Sequence, residues 1–171
     1  LIFMILAGMN FNLFFVLQRK GLRKFLHDDE LRFYLAVIGI ASTAIFICNQ
    51  VNSNFKDTAR SLLDSFFQVV SILTTTGYMT DDYDLWPTFS RMILFCLFFF
   101  GGCSSSTSGG IKCVRVLVCL KLVRRSVSLR LHPNRIAPIT LNESEVPSEV
   151  IINITNFVFT YIAVIFAGMF L

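Results

Sequence analysis

Long apolar runs alternate with short charged connections along this chain, and the lengths of those runs predict its elements. A helix crosses the roughly 30 Å hydrocarbon layer of a bilayer with about 20 mostly apolar residues. Three stretches come close: residues 1–17, apolar apart from Asn10 and Asn12; residues 33–51, FYLAVIGIASTAIFICNQV, without a charge; and residues 150–171, without a charge after Glu149. Each predicts a transmembrane helix. The opening run lacks the basic start and small-residue cleavage site of a signal peptide, so it counts as a span. The apolar runs at Leu1 and Leu171 read as parts of a longer chain, with the remainder of the first helix upstream.

Two further apolar stretches are too short or are broken. Residues 62–73, LLDSFFQVVSIL, make a helix of only about 18 Å at 1.5 Å per residue. That predicts a re-entrant pore helix over 58–73, with Asp57, Thr58 and Ser61 as candidate caps for its free amides. Residues 94–100, LFCLFFF, run into GGCSSSTSGG before IKCVRVLVCLKLV resumes, which predicts a spanning helix over 88–123 with a polar, glycine-rich break.

Charge orients these elements. Residues 18–32 carry Arg19, Lys20, Arg23, Lys24 and Arg32 against Asp28, Asp29 and Glu30. Residues 111–149 carry Lys112, Arg115, Lys121, Arg124, Arg125, Arg130 and Arg135 against Glu143, Glu145 and Glu149. Both basic stretches read as cytoplasmic under the positive-inside rule. Residues 52–91, with Lys56, Arg60 and Arg91 beside Asp57, Asp64, Asp81, Asp82 and Asp84, read as external. The expected fold class is therefore all-α integral membrane. Helix 1–17 and connection 18–32 precede a unit over 33–125, composed of helix 33–51, pore helix 58–73, filter 74–78 and broken helix 88–123. Connection 126–149 and helix 150–171 follow. Tyr34, Tyr83, Trp86 and Tyr161 lie near the span ends, where interfacial aromatics gather.

Composition narrows the class further. With 54% hydrophobic residues and 19 phenylalanines, the chain is far from the balance of a soluble domain, and a nucleic-acid partner is not expected. Cys48, Cys96, Cys103, Cys113 and Cys119 form no C-x-x-C pair and read as free thiols used as small apolar residues. His27 and His132 have no partner at metal-ligand spacing. The glycosylation-like triplets at Asn142 and Asn153 are discounted, the first by its cytoplasmic side and the second by its apolar span.

The stretch that carries chemistry is TTTGYM, residues 74–79. Non-helical backbone at membrane depth survives only when buried in protein or lining water, because each unsatisfied amide or carbonyl facing lipid costs several kcal/mol. Gly77 can visit left-handed geometry without a Cβ clash, which lets successive carbonyls share a direction. Oxygens of Thr75, Thr76, Gly77 and Tyr78 can then replace the hydration shell of an alkali cation, with the negative C-terminal end of the pore helix behind them. The plainer alternative is a threonine-rich loop. Asp81, Asp82 and Asp84 either concentrate cations at a pore mouth or form a solvated turn.

The break over residues 101–110 does not satisfy the phosphate-binding pattern G-x-x-x-x-G-K-[ST]. It offers Gly101, Gly102, Gly109 and Gly110 around Ser104, Ser105, Ser106, Thr107 and Ser108. Such a loop below a narrow pore can obstruct the path and move aside, as a gate; the alternative is a bulged helix whose serines bond its own backbone. Arg115, Lys121, Arg124 and Arg125 anchor the resumed helix at headgroups or form a docking surface.

In combination, FFQVVSILTTTGYMTDDYDLWP and FFFGGCSSSTSGGIK, with the weaker FMILAGMNFNLFF and DDELRFYL, resemble the Trk/Ktr/HKT superfamily of potassium transporters, specifically its bacterial TrkH-type membrane subunit. The resemblance covers nearly the whole chain. It implies four helix, pore-loop, helix repeats around one pore, with residues 1–17 ending the second repeat, 31 to about 125 forming the third, and 150–171 opening the fourth. It further implies potassium as substrate, bound at Thr75 and Thr76 beside the single filter glycine, Gly77, and no cofactor. Gly101 to Gly110 would be the intramembrane gating loop, richer in serine here than is usual. A multi-pass protein of the cell (inner) membrane is implied, homodimeric and paired with a cytoplasmic nucleotide-binding regulator of the TrkA type. The rival reading is a tetrameric two-helix potassium channel subunit, whose signature TVGYGD is not met where Tyr78 precedes Met79, Thr80 and Asp81. An enzyme using SSSTS as nucleophile would need a base in reach, and neither histidine lies near in sequence.

Overall fold

The computed structural model describes residues 1–52, 57–132, 138–142 and 144–170, with Lys20 described by its backbone alone. Lys56, Arg135 and Glu143, counted above in the charge pattern, lie outside these. The described chain is mostly helical and divides into two compact units, Leu1–Cys113 and Val114–Leu171.

The first unit holds helices α1 (Ile2–Gly8), α2 (Asn12–Lys20), α3 (Leu22–Phe25), α4 (Asp29–Asn52), α5 (Thr58–Leu73) and α6 (Thr88–Leu97), with a 3-10 turn at Tyr83–Leu85. The long helix α4 starts at Asp29, earlier than its apolar run, because Asp28 Oδ1 accepts the Leu31 amide at 2.9 Å and the acidic residues Asp29 and Glu30 suit the positive end of a helix. Along it Leu31, Tyr34, Ile38, Ala41 and Ile45 recur at helical spacing and are all buried. They pack in one core with Val69, Val70, Ile72 and Leu73 of α5 and Leu94 and Leu97 of α6. A buried Ser90 hydroxyl donates to Asn49 Oδ1 at 2.8 Å, pinning α6 to α4 with the kind of interhelical polar contact that joins membrane helices.

Residues 1–17 were expected to form one spanning helix. Instead the chain bends by 97° between α1 and α2. Met9 is extended, and Asn10 Oδ1 accepts the Asn12 amide at 2.9 Å, so the two asparagines inside the apolar run make a local turn that competes with helix. The expected cap of α5 also differs: Asp57 stands at the capping position, but its side chain makes no capping hydrogen bond. The broken helix expected over 88–123 consists of α6, which stops at Leu97, a non-helical stretch 98–112, and α7, which begins at Cys113.

The second unit contains the rest of α7 (Cys113–Leu131), a two-residue hairpin of β1 (Thr140–Leu141) and β2 (Ser144–Glu145), and α8 (Ser148–Met169). Helix α8 is 22 residues long and buries none of them, as suits a helix whose sides meet lipid or neighbouring helices. The Arg115 guanidinium lies 3.7 Å from the centre of the Phe157 ring, and Lys121 Nζ donates to the Thr140 carbonyl at 2.8 Å. Two of the cations expected at headgroups thus have contacts inside the protein. Among the described residues two helices, α4 and α8, are long and apolar enough to cross a bilayer, and the bent α1–α2 pair makes three if it acts as one span.

Candidate functional site

The site begins where α5 runs out. Its last turn is buried on all sides, from Gln68 to Leu73, unlike an amphipathic surface helix. The chain then folds back on that turn: the Thr75 amide donates to Ile72 at 2.9 Å, and the Thr76 and Gly77 amides donate to the Ser71 carbonyl at 2.9 and 3.4 Å. The Thr74 hydroxyl donates to the Val70 carbonyl and meets the Thr76 hydroxyl, both at 2.7 Å. These bonds cap the helix and take up the amides. Among the described residues no protein donor reaches the carbonyl oxygens of Thr75, Thr76 or Gly77.

Two residues of the turn are left-handed, Thr75 at φ 55° and Gly77 at φ 81°. For Gly77 this is inexpensive; for a β-branched threonine it is strained and must be imposed by its surroundings. The side chains of Thr75, Thr76 and Tyr78 are exposed in this chain. Tyr78, grouped above with the other three as an oxygen donor, has its carbonyl already engaged, accepting the Ser71 hydroxyl at 2.6 Å. The reason is position: Ser71 lies buried on α5 beside the returning chain. Beneath the turn is a cavity of about 240 Å³ lined by Gln68, Ser71, Ile72, Thr75, Gly77 and Tyr83, among others. Gln68 is buried on it with Oε1 unpartnered among the described residues.

Of the three acidic residues that follow, Asp81 accepts the buried Trp86 indole N–H at 2.8 Å, and Asp82 accepts the Asp84 amide at 3.0 Å. They hold the turn that leads into α6.

The stretch 98–112 contacts the turn at residues 74–78. Its ends are tied by Gly101 N–H to the Ile111 carbonyl at 2.8 Å and Ile111 N–H to Phe99 at 3.1 Å. A Cβ on Gly101 would run into the Gly109 carbonyl, and one on Gly102 would stand 2.6 Å from the Gly8 carbonyl. Close backbone approach explains these glycines. Gly109 N–H donates to Thr75 Oγ1 at 2.9 Å. The serines do bond their own loop, Ser108 accepting Gly102 N–H at 2.7 Å and Ser106 donating to the Cys103 carbonyl at 2.6 Å, and Lys112 Nζ holds the carbonyls of Ser106 and Ser108. No helix forms there, so the bulged-helix alternative fails. The loop also docks on the bend of the first helices: Cys103 N–H donates to Gly8 at 2.8 Å and Phe11 N–H to Ser105 at 3.4 Å.

Sequence reasoning missed three residues that shape this loop. Glu30 is buried and accepts the Ser104 amide and hydroxyl, while Asn10 donates to Glu30 and Ser104; Lys112 supports the other half. Their signals were polar groups inside or just before apolar runs. All five cysteines are free, and Cys103 and Cys113 are packed in the core as small apolar groups. Among the described residues no cluster of His, Cys, Asp or Glu could hold a metal ion.

Comparison with known proteins agrees with this architecture. Residues 1–170 match the TrkH family, described as cation transport protein. The chain is 35% identical over 172 aligned positions to the Trk system potassium uptake protein TrkH of Salmonella typhimurium, an alignment that covers 98% of this chain and 35% of that protein. It is 33% identical over 161 positions to the Trk system potassium uptake protein TrkG of Escherichia coli, covering 93% of this chain and 33% of that one. The crystal structure of the potassium transporter TrkH from Vibrio parahaemolyticus superposes with a TM-score of 0.88 at 26% identity, over 98% of this chain and 36% of that chain. The chain thus spans about a third of the length of the curated relatives it matches.

Proposed function

The chain belongs to the TrkH family of cation transport proteins, and from that premise we propose that it is one pore-loop repeat with flanking helices of a longer potassium uptake protein. Residues 33–125 form the repeat, residues 1–17 end the one before it and residues 150–171 begin the next. The observation that carries the reading is the turn at residues 75–77, whose amides are consumed by the end of α5 and whose carbonyls have no protein donor among the described residues. A potassium ion entering from outside loses water and gains the oxygens of Thr75, Thr76 and Gly77, together with those of three equivalent loops contributed by the rest of the protein. The C-terminal end of α5 adds a partial negative charge behind the site, on the order of half an elementary charge. The protein supplies binding and passage and carries out no covalent chemistry.

Loop 101–110 gates this path. Its support is contact: Gly109 bonds the side chain of Thr75, so the loop lies against the inner face of the coordinating turn. The protein works in the inner membrane as a homodimer, regulated by a cytoplasmic nucleotide-binding subunit of the TrkA type. The rival reading, a two-helix tetrameric channel subunit, is disfavoured because the chain aligns with about a third of single longer relatives.

The test is growth of a potassium-uptake-deficient bacterium at low potassium. A full-length protein carrying this chain is expected to restore growth, and Gly77→Asp to abolish the rescue. Rescue undiminished by Gly77→Asp would overturn the proposal.

A further inference from the structure

Glu30 is 4% exposed, yet among the described residues no cation pairs with it within 4 Å. Its carboxylate is satisfied by hydrogen bonds. Oε1 accepts the Ser104 amide, and Oε2 accepts the Ser104 hydroxyl at 2.7 Å and the Asn10 side-chain amide at 3.3 Å. Asn10 also donates to Ser104 Oγ at 3.3 Å, closing a three-residue network. Two of the three donors to the carboxylate belong to one loop residue, which it grips by backbone and side chain together. A buried carboxylate is stable only while its donors stay in place. Lifting the loop would strip Glu30 of both Ser104 donors and leave the charge short of partners. Carboxylate and loop therefore hold one another.

The position of Glu30 gives this contact a direction. It lies in the first turn of α4, at the end of the basic connection 18–32, so a shift of that connection reaches the loop through one side chain. Its partner Asn10 lies at the bend between α1 and α2, the other surface on which the loop rests.

Building on the gating reading of loop 101–110, we propose that Glu30 is a latch: its grip on Ser104 holds the loop across the ion path, and withdrawal of the α4 start releases it. Glu30 is a positioning residue, acting through the loop rather than on the ion.

The test uses the full-length protein in which Cys48, Cys96, Cys113 and Cys119, with any cysteine outside this chain, are replaced by serine, leaving Cys103, which is fully buried beside Ser104. Glu30→Gln, Glu30→Ala and the milder Ser104→Ala are introduced. The rate at which a small charged methanethiosulfonate reagent modifies Cys103 is measured in detergent, and rubidium flux in liposomes without any regulatory subunit. Glu30→Gln is expected to raise the Cys103 rate on the order of tenfold, the scale of a lost hydrogen bond to a charged group, and Ser104→Ala by less. Basal flux rises in parallel, and the preference for potassium over sodium is unchanged. An unchanged or slower Cys103 rate in both Glu30→Gln and Ser104→Ala overturns the latch. Absence of rubidium flux in the unmodified protein overturns the transport reading instead, while the Cys103 rates still decide the latch.

Discussion

Gly109 and Thr75 are joined by a hydrogen bond from the loop amide to the threonine hydroxyl at 2.9 Å, across 34 positions of sequence. Under the proposed function, the residue offering a carbonyl to the ion therefore offers its side chain to the gate. The two roles separate by mutation. Thr75→Val keeps the shape and the backbone but removes the acceptor, a loss of about 1 kcal/mol for a neutral hydrogen bond. Basal flux should rise about fivefold with the potassium preference intact, whereas Thr75→Ser should behave as the parent. Rubidium flux with sodium competition reads both. A lost preference in Thr75→Val would make the hydroxyl, and not the carbonyl, the ligand.

Gly77 is left-handed at φ 81°, and nothing stands within 4 Å of a Cβ built on it. Gly77→Ala therefore meets no clash, only a conformational penalty of roughly 1–2 kcal/mol. Folded protein should be recovered in near-parental yield while the potassium preference falls several-fold as the turn relaxes. Yield by size exclusion and competition flux separate the two effects.

The loop glycines should differ in rank. A Cβ at Gly102 would stand 2.6 Å from the Gly8 carbonyl and 2.7 Å from Ser108 Oγ, whereas at Gly109 the nearest atom is Thr75 Cγ2 at 3.8 Å. Gly102→Ala should push the loop from the α1–α2 bend and lower the melting temperature by several degrees, and Gly109→Ala should leave it within about one degree. A fluorescence-detected melting curve in detergent makes the comparison.

Asp81 supports structure. It satisfies the indole of Trp86, which is 4% exposed. Asp81→Ala leaves that N–H without a partner and should destabilise the protein by about 1–3 kcal/mol. Asp81→Asn, which keeps an acceptor, should be milder. Equal melting temperatures for the two variants would contradict this assignment.

The all-α membrane fold was legible because hydrophobic length maps directly onto bilayer thickness: the uncharged run 33–51 lies within α4, and residues 150–171 largely coincide with α8. The bend at Asn10 was not, since two polar residues in an apolar run are compatible with a helix until a loop some 90 positions away takes up the backbone groups they free. At the site, the left-handed Gly77 followed from its missing Cβ. The left-handed Thr75 could not be foreseen, because intrinsic preference opposes it and only the capping carbonyls of Ser71 and Ile72 fix the turn. Glu30 looked like one more charge in a basic connection. Its partner lies 74 residues away, a distance that periodicity and motif do not span.

The most direct measurement is the position of a heavy alkali-like cation in the full-length protein, by anomalous scattering from crystals grown with thallium or rubidium in place of potassium. The account predicts an ion within about 3 Å of the carbonyl oxygens of Thr75, Thr76 or Gly77, lost in Gly77→Asp. An ion held elsewhere in the pore, with those oxygens facing only protein, would contradict it.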